Sequence, residues 1–204
     1  MSAIELSGLI VKPLAQRIRA WCSAGKLEED DLERALSRDA RAWIDHSIAA
    51  VDWAAIEAVE GLVAVAAEQL GGETGLVDWA EELVANWLVE DAVTDLTTAG
   101  RGLVDGPGLA VSGASALLMR GGGWYYEGGA RAFQVQLRGL ETASVALASL
   151  LGACLARLAE AVDLGALDLR FEGVDGGELV VFGEVGPVDM ELAEGRLHRA
   201  ALVP

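Results

Sequence analysis

The residues best suited to metal or nucleophile chemistry are few and widely separated in this sequence. The chain of 204 residues has two cysteines, Cys22 and Cys154, and two histidines, His46 and His198. No Cys-x-x-Cys, His-Glu-x-x-His or similarly paired spacing occurs, so the sequence predicts no metal centre. A Cys–His pair that meets only in the folded chain stays open. Cys154 lies in the most apolar helical stretch, where desolvation raises a thiol pKa and makes the thiol inert.

Other catalytic and phosphate-binding patterns are equally weak. Residues 100–106 are rich in glycine but lack the Lys-Ser/Thr ending of a phosphate-binding loop, and no predicted strand precedes them. Ser112 and Ser115 do not form a Gly-x-Ser-x-Gly elbow. The chain carries 32 carboxylates, and nothing singles out a pair for acid–base work. We therefore expect a non-catalytic protein, with an enzyme whose active site assembles only in three dimensions as the alternative.

An aromatic triplet between glycines is the most unusual local feature. Residues 124–126 read Trp-Tyr-Tyr, and glycines at 121–123 and 128–129 let the backbone bend tightly around them. Such rings line pockets for small apolar molecules, and they equally form ordinary core or a dimer seam. Two helical tryptophans and one strand phenylalanine complete the set. The candidate ligand-binding residues are Trp53, Trp87, Trp124, Tyr125, Tyr126 and Phe133.

A cassette at residues 133–185 has to position these rings. Apolar and polar residues alternate over 133–138, which predicts a strand with one buried face. A helix over 142–162 follows, with no charge before Arg157. Alternation at 167–172, glycines within 173–177 and an apolar run at 179–182 then predict a hairpin.

The first seventy residues are predicted to be helical throughout. One helix has Pro13 in its first turn, and Ser37 can cap another. A stronger helix begins at Trp53 after an Asp52 cap and ends at Gly71-Gly72. A further helix is expected over 77–96, with 89–96 either its continuation or a separate turn. Others are expected over 109–119 and, as a short helix, over 190–198. The predicted fold class is α+β, an N-terminal helical bundle packed on a small antiparallel sheet with a long buried central helix. We expect a single domain over 1–204, with 1–70 as its helical part and 120–185 as sheet and central helix.

The charge of the chain limits its partners. Its net charge of −17 repels phosphate backbones and anionic lipid, which disfavours nucleic acid and membrane-surface binding. No apolar run reaches the length of a bilayer span, and no signal peptide is visible, so we expect a cytoplasmic protein. The helices at 109–119 and 142–162 are apolar almost all round. A surplus of apolar surface of this kind predicts a homodimer or another protein partner.

The order of these elements resembles the 4-vinyl reductase domain superfamily. That group includes the Bet-type subunits of the TRAPP vesicle-tethering complexes and haem-dependent nitric-oxide-binding relatives. The sequence is more closely similar to a paralogous family found in myxobacteria. The likeness rests on 41–45 with 52–53, on 120–126 with the strand after it, and on 144–162 leading into 167–171 and 179–182. It implies the fold of the 4-vinyl reductase domain and a sensory, regulatory or scaffold role.

The sequence also departs from that superfamily. Many members carry cysteines at the last hairpin, which can hold a metal, and residues 167–185 contain none. A haem-type proximal histidine would have to be His46 or His198, and neither matches the expected position. The resemblance therefore implies no cofactor for this chain.

Overall fold

The computed structural model of the chain describes residues 4–100, 113, 115–121, 123–128, 132–138, 143–162, 167–175 and 178–185. These residues form an α+β fold, as the sequence predicts. The helices are α1 (Gly8–Ser23), α2 (Glu29–Ala35), α3 (Arg38–His46), α4 (Ile56–Leu70), α5 (Glu73–Trp87), α6 (Asp91–Gly100) and α7 (Val145–Val162). The strands are β1 (Glu5–Ser7), β2 (Trp53–Ala55), β3 (Met119–Arg120), β4 (Gly123–Gly128), β5 (Ala132–Arg138), β6 (Leu167–Asp175) and β7 (Glu178–Val185).

Two antiparallel sheets organise the strands. The larger has the order β4-β5-β7-β6, and the smaller has the order β2-β1-β3. The prediction for the 133–185 cassette is confirmed, because β5, α7 and the β6–β7 hairpin occupy it. The register between β6 and β7 shifts between Glu172 and Asp175. Alternating sequence patterns identified these strands because each has one face that must be buried.

The prediction that residues 1–70 are helical throughout is wrong. The short strands β1 and β2 pair with each other, and β1 also pairs with β3. Each has three residues or fewer, so no periodicity could mark it. The small sheet links the N-terminal strand to the segment that leads directly into β4.

The predicted start of the first helix is also wrong. α1 begins at Gly8, five residues before Pro13, and the hydroxyl of Ser7 caps it by accepting from the amide of Leu9 at 3.2 Å. Gly8 is required there, because a Cβ at that position would lie 1.9 Å from the carbonyl oxygen of Ala49. Pro13 therefore lies inside the helix, where proline normally breaks the backbone ladder.

Asp52 does not cap a helix, contrary to the prediction. Its carboxylate accepts from the amide of Ala49 at 3.1 Å and closes the preceding loop. Trp53 continues as strand β2, and α4 begins only at Ile56. The end of α4 is as predicted, since Gly71 adopts the left-handed conformation that ends many helices.

The region predicted to be helical over 77–96 forms two helices, so 89–96 is not a continuation of the first. α5 ends at Trp87, and α6 begins at Asp91 after a short turn. The predicted loop at 100–108 apart from residue 100, part of the predicted helix at 109–119 and the predicted helix at 190–198 lie outside the described residues. Within the described part of 109–119, residues 115–118 are helical and Met119 already belongs to β3.

The long apolar helix α7 is central, as predicted. It packs along α5 on one side, and among the sheet strands it comes closest to β6 and β7. From Leu150 to Leu158 its side chains are buried apart from Arg157. One continuous apolar core joins α7 to α1, α4 and α5. No helix within the described ranges is long and apolar enough to cross a membrane.

Candidate ligand site on the four-stranded sheet

The aromatic triplet lies in an extended strand rather than in the tight bend that its glycines suggested. Residues 123–128 form β4, at one edge of the four-stranded sheet. The cross-strand pairs are Trp124 with Leu137, Tyr125 with Gln136, and Tyr126 with Val135. Because successive strand positions alternate between faces, positions 124 and 126 share one face and position 125 lies on the other.

The face that contains positions 124 and 126 is apolar across the sheet. Leu137 pairs with Leu179, and Val135 pairs with Val181, which itself pairs with Phe171. The opposite face carries charged or amide residues at most positions, including 134, 136, 170 and 172. The apolar face is the one expected to pack on α7, since that helix is apolar nearly all round. The strand β4 lies at the sheet edge opposite to β6, the edge that α7 approaches most closely.

Polar contacts fix α7 at both ends. Glu60 of α4 accepts from the amide of Ser144 at 2.6 Å and from its hydroxyl at 2.5 Å. The same hydroxyl caps α7 by accepting from the amide of Leu147. Near the other end, Arg157 forms an ion pair with Glu81 of α5 at 2.9 Å. The helix that faces the sheet is therefore held in place by the N-terminal helices.

Two of the six predicted site residues lie away from the four-stranded sheet. Trp87 of α5 is only 1% exposed, and its indole N–H donates to the carbonyl of Leu9 at 2.8 Å. Trp53 lies in the small sheet, where the guanidinium of Arg120 stacks 4.7 Å from the centre of its ring. The backbone of the other four, 124–126 and 133, belongs to the adjacent strands β4 and β5.

An ion pair joins two strands of the small sheet. Arg120 donates to the carboxylate of Glu5 at 2.5 Å, and the two residues are directly opposite across β1 and β3. That hydrogen bond lowers the pKa of Glu5 and raises the pKa of Arg120. Both pKa shifts favour the charged forms of the two side chains. The ion pair therefore stabilises the pairing of β1 with β3 and does not supply an acid or base for proton transfer.

Neither cysteine has the environment of a nucleophile. Burial raises the pKa of both thiols, that of the fully buried Cys154 by far the more. The described residues contain no group of three or more His, Cys, Asp or Glu side chains placed to hold a metal ion. Both cysteines are free.

A polar cleft of about 540 Å³ lies between α2 and α3. Its lining includes Arg38, Asp45 and His46, which are all exposed, and an ion pair between Arg41 and Glu33 at 3.0 Å. Solvent reaches these side chains freely, which weakens their electrostatic interactions. The cleft lacks the dry convergent polar cluster that would favour an enzyme.

Sequence reasoning missed a cluster of aromatic and charged residues between α1 and α5. Arg17 lies 5.7 Å from the centre of the Trp21 ring and 5.9 Å from that of Trp79, and it also pairs with Glu82. The Nε atom of Arg17 and the indole nitrogen of Trp79 are buried without a hydrogen-bond partner. The positions of Arg17 and Trp21 one turn apart on α1 are the only local signal for this cluster.

Comparison with known proteins gives structural neighbours only. No family model and no curated protein matches the chain. An Fe(II) unliganded mutant of an H-NOX protein from K. algicida shares the fold with a TM-score of 0.57 at 9% identity, covering 91% of this chain and 100% of the other. A second structure, from work on modulating haem redox potential through protein-induced porphyrin distortion, has a TM-score of 0.51 at 12% identity and covers 88% of this chain and 99% of the other. At these identities the likeness establishes the fold alone.

The described histidine and cysteine side chains do not fit a haem of the kind that those neighbours suggest. Haem iron takes its axial ligand from His, Cys, Met or Tyr. His46, the one histidine within the described residues, is exposed at the end of α3, a helix that packs on α1 and α4. Cys154 is buried among leucines and its thiol pKa is raised, which disfavours the thiolate. The described side chains therefore offer no suitable iron ligand beside α7.

Proposed function

We propose that this chain is a non-catalytic sensory or regulatory protein that binds a small apolar ligand on the four-stranded sheet. The observation that carries the proposal is the register of β4 and β5. It places Trp124 and Tyr126 on the same face as Val135 and Leu137, at the edge of the sheet opposite to β6. Aromatic and aliphatic positions grouped in this way are typical of sites for small molecules.

The chemistry of the described residues supports binding over catalysis. The pKa shifts at Cys22 and Cys154 are upward, and those of the Glu5–Arg120 pair favour the charged forms. None of these directions activates a nucleophile or a general base.

The structural neighbours support the same proposal by analogy. One is described as an Fe(II) unliganded H-NOX protein, and the other concerns haem redox potential and porphyrin distortion, so iron or haem is named in each description. A shared fold raises the expectation of a ligand but does not transfer its identity. Kinship with the 4-vinyl reductase superfamily, and with its myxobacterial relatives, is proposed on the motifs of the sequence.

The homodimer is also a proposal. It was predicted from two apolar helices, and α7 is already buried within a single chain. The dimer proposal therefore depends on the apolar residues at 109–119. Light scattering at micromolar concentration tests it, and a monomeric mass would exclude a stable dimer.

The ligand proposal is tested with a matched pair of variants, Trp124→Ala and Tyr125→Ala, which remove rings from opposite faces of β4. Native mass spectrometry of the purified protein reports any molecule retained, and titration with the neutral apolar dye Nile red provides a defined probe. We expect Trp124→Ala to weaken dye binding about tenfold, equivalent to ~1.4 kcal/mol, and Tyr125→Ala to leave it nearly unchanged.

Thermal melting separates binding from packing in the same variants. If Trp124→Ala lowers the melting temperature strongly while dye binding is equal in both variants, the ring belongs to the core and the proposed site is wrong.

A further inference from the structure

We infer that this chain uses the fold of its haem-associated neighbours without a haem. The inference does not depend on the ligand proposal, because it concerns which side chains could bind the iron and the carboxylates of the porphyrin. It rests on the positions of the potential iron ligands and on the pairing of the cations.

Both histidines lie outside the central part of the sequence. No histidine occurs from residue 47 to residue 197, an interval that contains α4 to α7 and all of the four-stranded sheet. His46 borders the polar cleft between α2 and α3. An iron porphyrin needs an apolar slot, and the side chains that line the cleft with His46 are mostly arginines and carboxylates, with Leu36 and Ala42 the apolar ones.

The sulfur ligands near the centre of the fold are no better placed. Cys154 is 1% exposed within α7, and Met119 is 2% exposed in β3. Cores are packed nearly as densely as organic crystals, so a macrocycle reaching Cys154 would have to displace the helix packing around it. Cys22 lies in the last turn of α1, with Lys26 and Glu29 close by in the sequence.

Charge gives an independent argument. A haem brings two carboxylates, and the protein already has a net charge of −17. Arg120 and Arg157, the two arginines with described side chains after residue 100, are bound to Glu5 and Glu81. Using either cation for a haem carboxylate would only exchange one ion pair for another, and the haem would add negative charge to an already acidic chain.

The test uses the full chain, produced in cells supplied with iron and the haem precursor 5-aminolevulinate. We expect no Soret absorbance at one haem per chain and no haem mass by native mass spectrometry. Adding hemin to the purified protein is expected to give no saturation at one per chain and no rise in melting temperature. Weak, non-saturating absorbance that is equal in all variants is surface adsorption and agrees with the inference.

Four variants make the inference refutable: His46→Ala, His198→Ala, Tyr125→Phe and Tyr126→Phe. Stoichiometric haem that is lost or spectrally shifted in any of them identifies an axial ligand and overturns the inference. Stoichiometric haem retained in all four overturns it as well. Either result would leave the protein a binder of a small molecule, so failure here is distinct from failure of the proposed function.

Discussion

The indole N–H of Trp87 donates to the carbonyl of Leu9 at 2.8 Å, across 78 residues of sequence. In an uninterrupted helix the carbonyl of residue 9 would accept from the amide of residue 13. Residue 13 is proline, which has no amide hydrogen. Trp87 therefore supplies the donor that Pro13 removes, and α5 is tied to α1 at the point where α1 is weakest.

This relationship predicts a coupling between Trp87 and Pro13. Trp87→Phe leaves the Leu9 carbonyl unpaired and should destabilise the wild-type chain by ~1–3 kcal/mol beyond the effect of ring size. In a Pro13→Ala background the residue 13 amide can pair with that carbonyl, so the same change should cost less. Urea unfolding of the four proteins in the cycle measures the difference. Equal costs of Trp87→Phe in both backgrounds would contradict this role for the indole.

Replacing Gly8 with alanine should destabilise the fold. In Gly8→Ala the new Cβ would lie 1.9 Å from the backbone oxygen of Ala49, and overpacking of this kind costs about 1–3 kcal/mol. The control is Gly61→Ala in α4, whose Cβ would come closest to the Cδ2 of Leu36, at 3.2 Å. That change should be neutral or stabilise by up to ~1 kcal/mol, since alanine favours helix. Thermal melting of both variants measures the difference in stability. Similar melting temperatures would contradict the steric explanation.

The ion pair between Glu5 and Arg120 should contribute a pH-dependent part of stability. The pKa of Glu5 is lowered from its ordinary value of 4.5 in the folded state by the hydrogen bond from Arg120. Its contribution is therefore complete above that value and is lost as the pH falls through the lower folded pKa.

Glu5→Gln tests this sign directly. The variant should melt below wild type at neutral pH, and the gap between the two should close as the solution is acidified below pH ~4. Scanning calorimetry at a series of pH values provides the measurement. A difference in melting temperature that increased in acid would contradict the predicted pH dependence.

The two thiols should differ in their reactivity. Cys22 is half-buried and Cys154 is 1% exposed, and burial raises the pKa of both. We expect a thiol reagent at pH 8 to modify Cys22 slowly in the native protein and Cys154 only after unfolding. Cys22→Ser should abolish the native reaction. Rapid native labelling of that variant would show that the core around α7 opens.

The sequence alone determined the helices and strands in which apolar residues recur in a regular pattern. The alternation at 133–138 and 167–172 and the long uncharged run before Arg157 are local patterns, and each had to bury a face. They predicted the strands at 133–138 and 167–182, the central helix and the α+β class. Ser37 as the cap of α3 and Gly71 as the end of α4 followed from backbone chemistry in the same way.

Tertiary structure decided what depends on distant partners. β1, β2 and β3 are too short to show a period, and they exist because they pair across long stretches of sequence. Trp87 reaches from α5 to supply the donor that Pro13 lacks inside α1, and the pairing of Trp124 with Leu137 determined which strand positions share its face. Side-chain type and spacing are local properties of a chain, whereas a donor, a register or a pocket needs a second segment, which the fold alone brings into place.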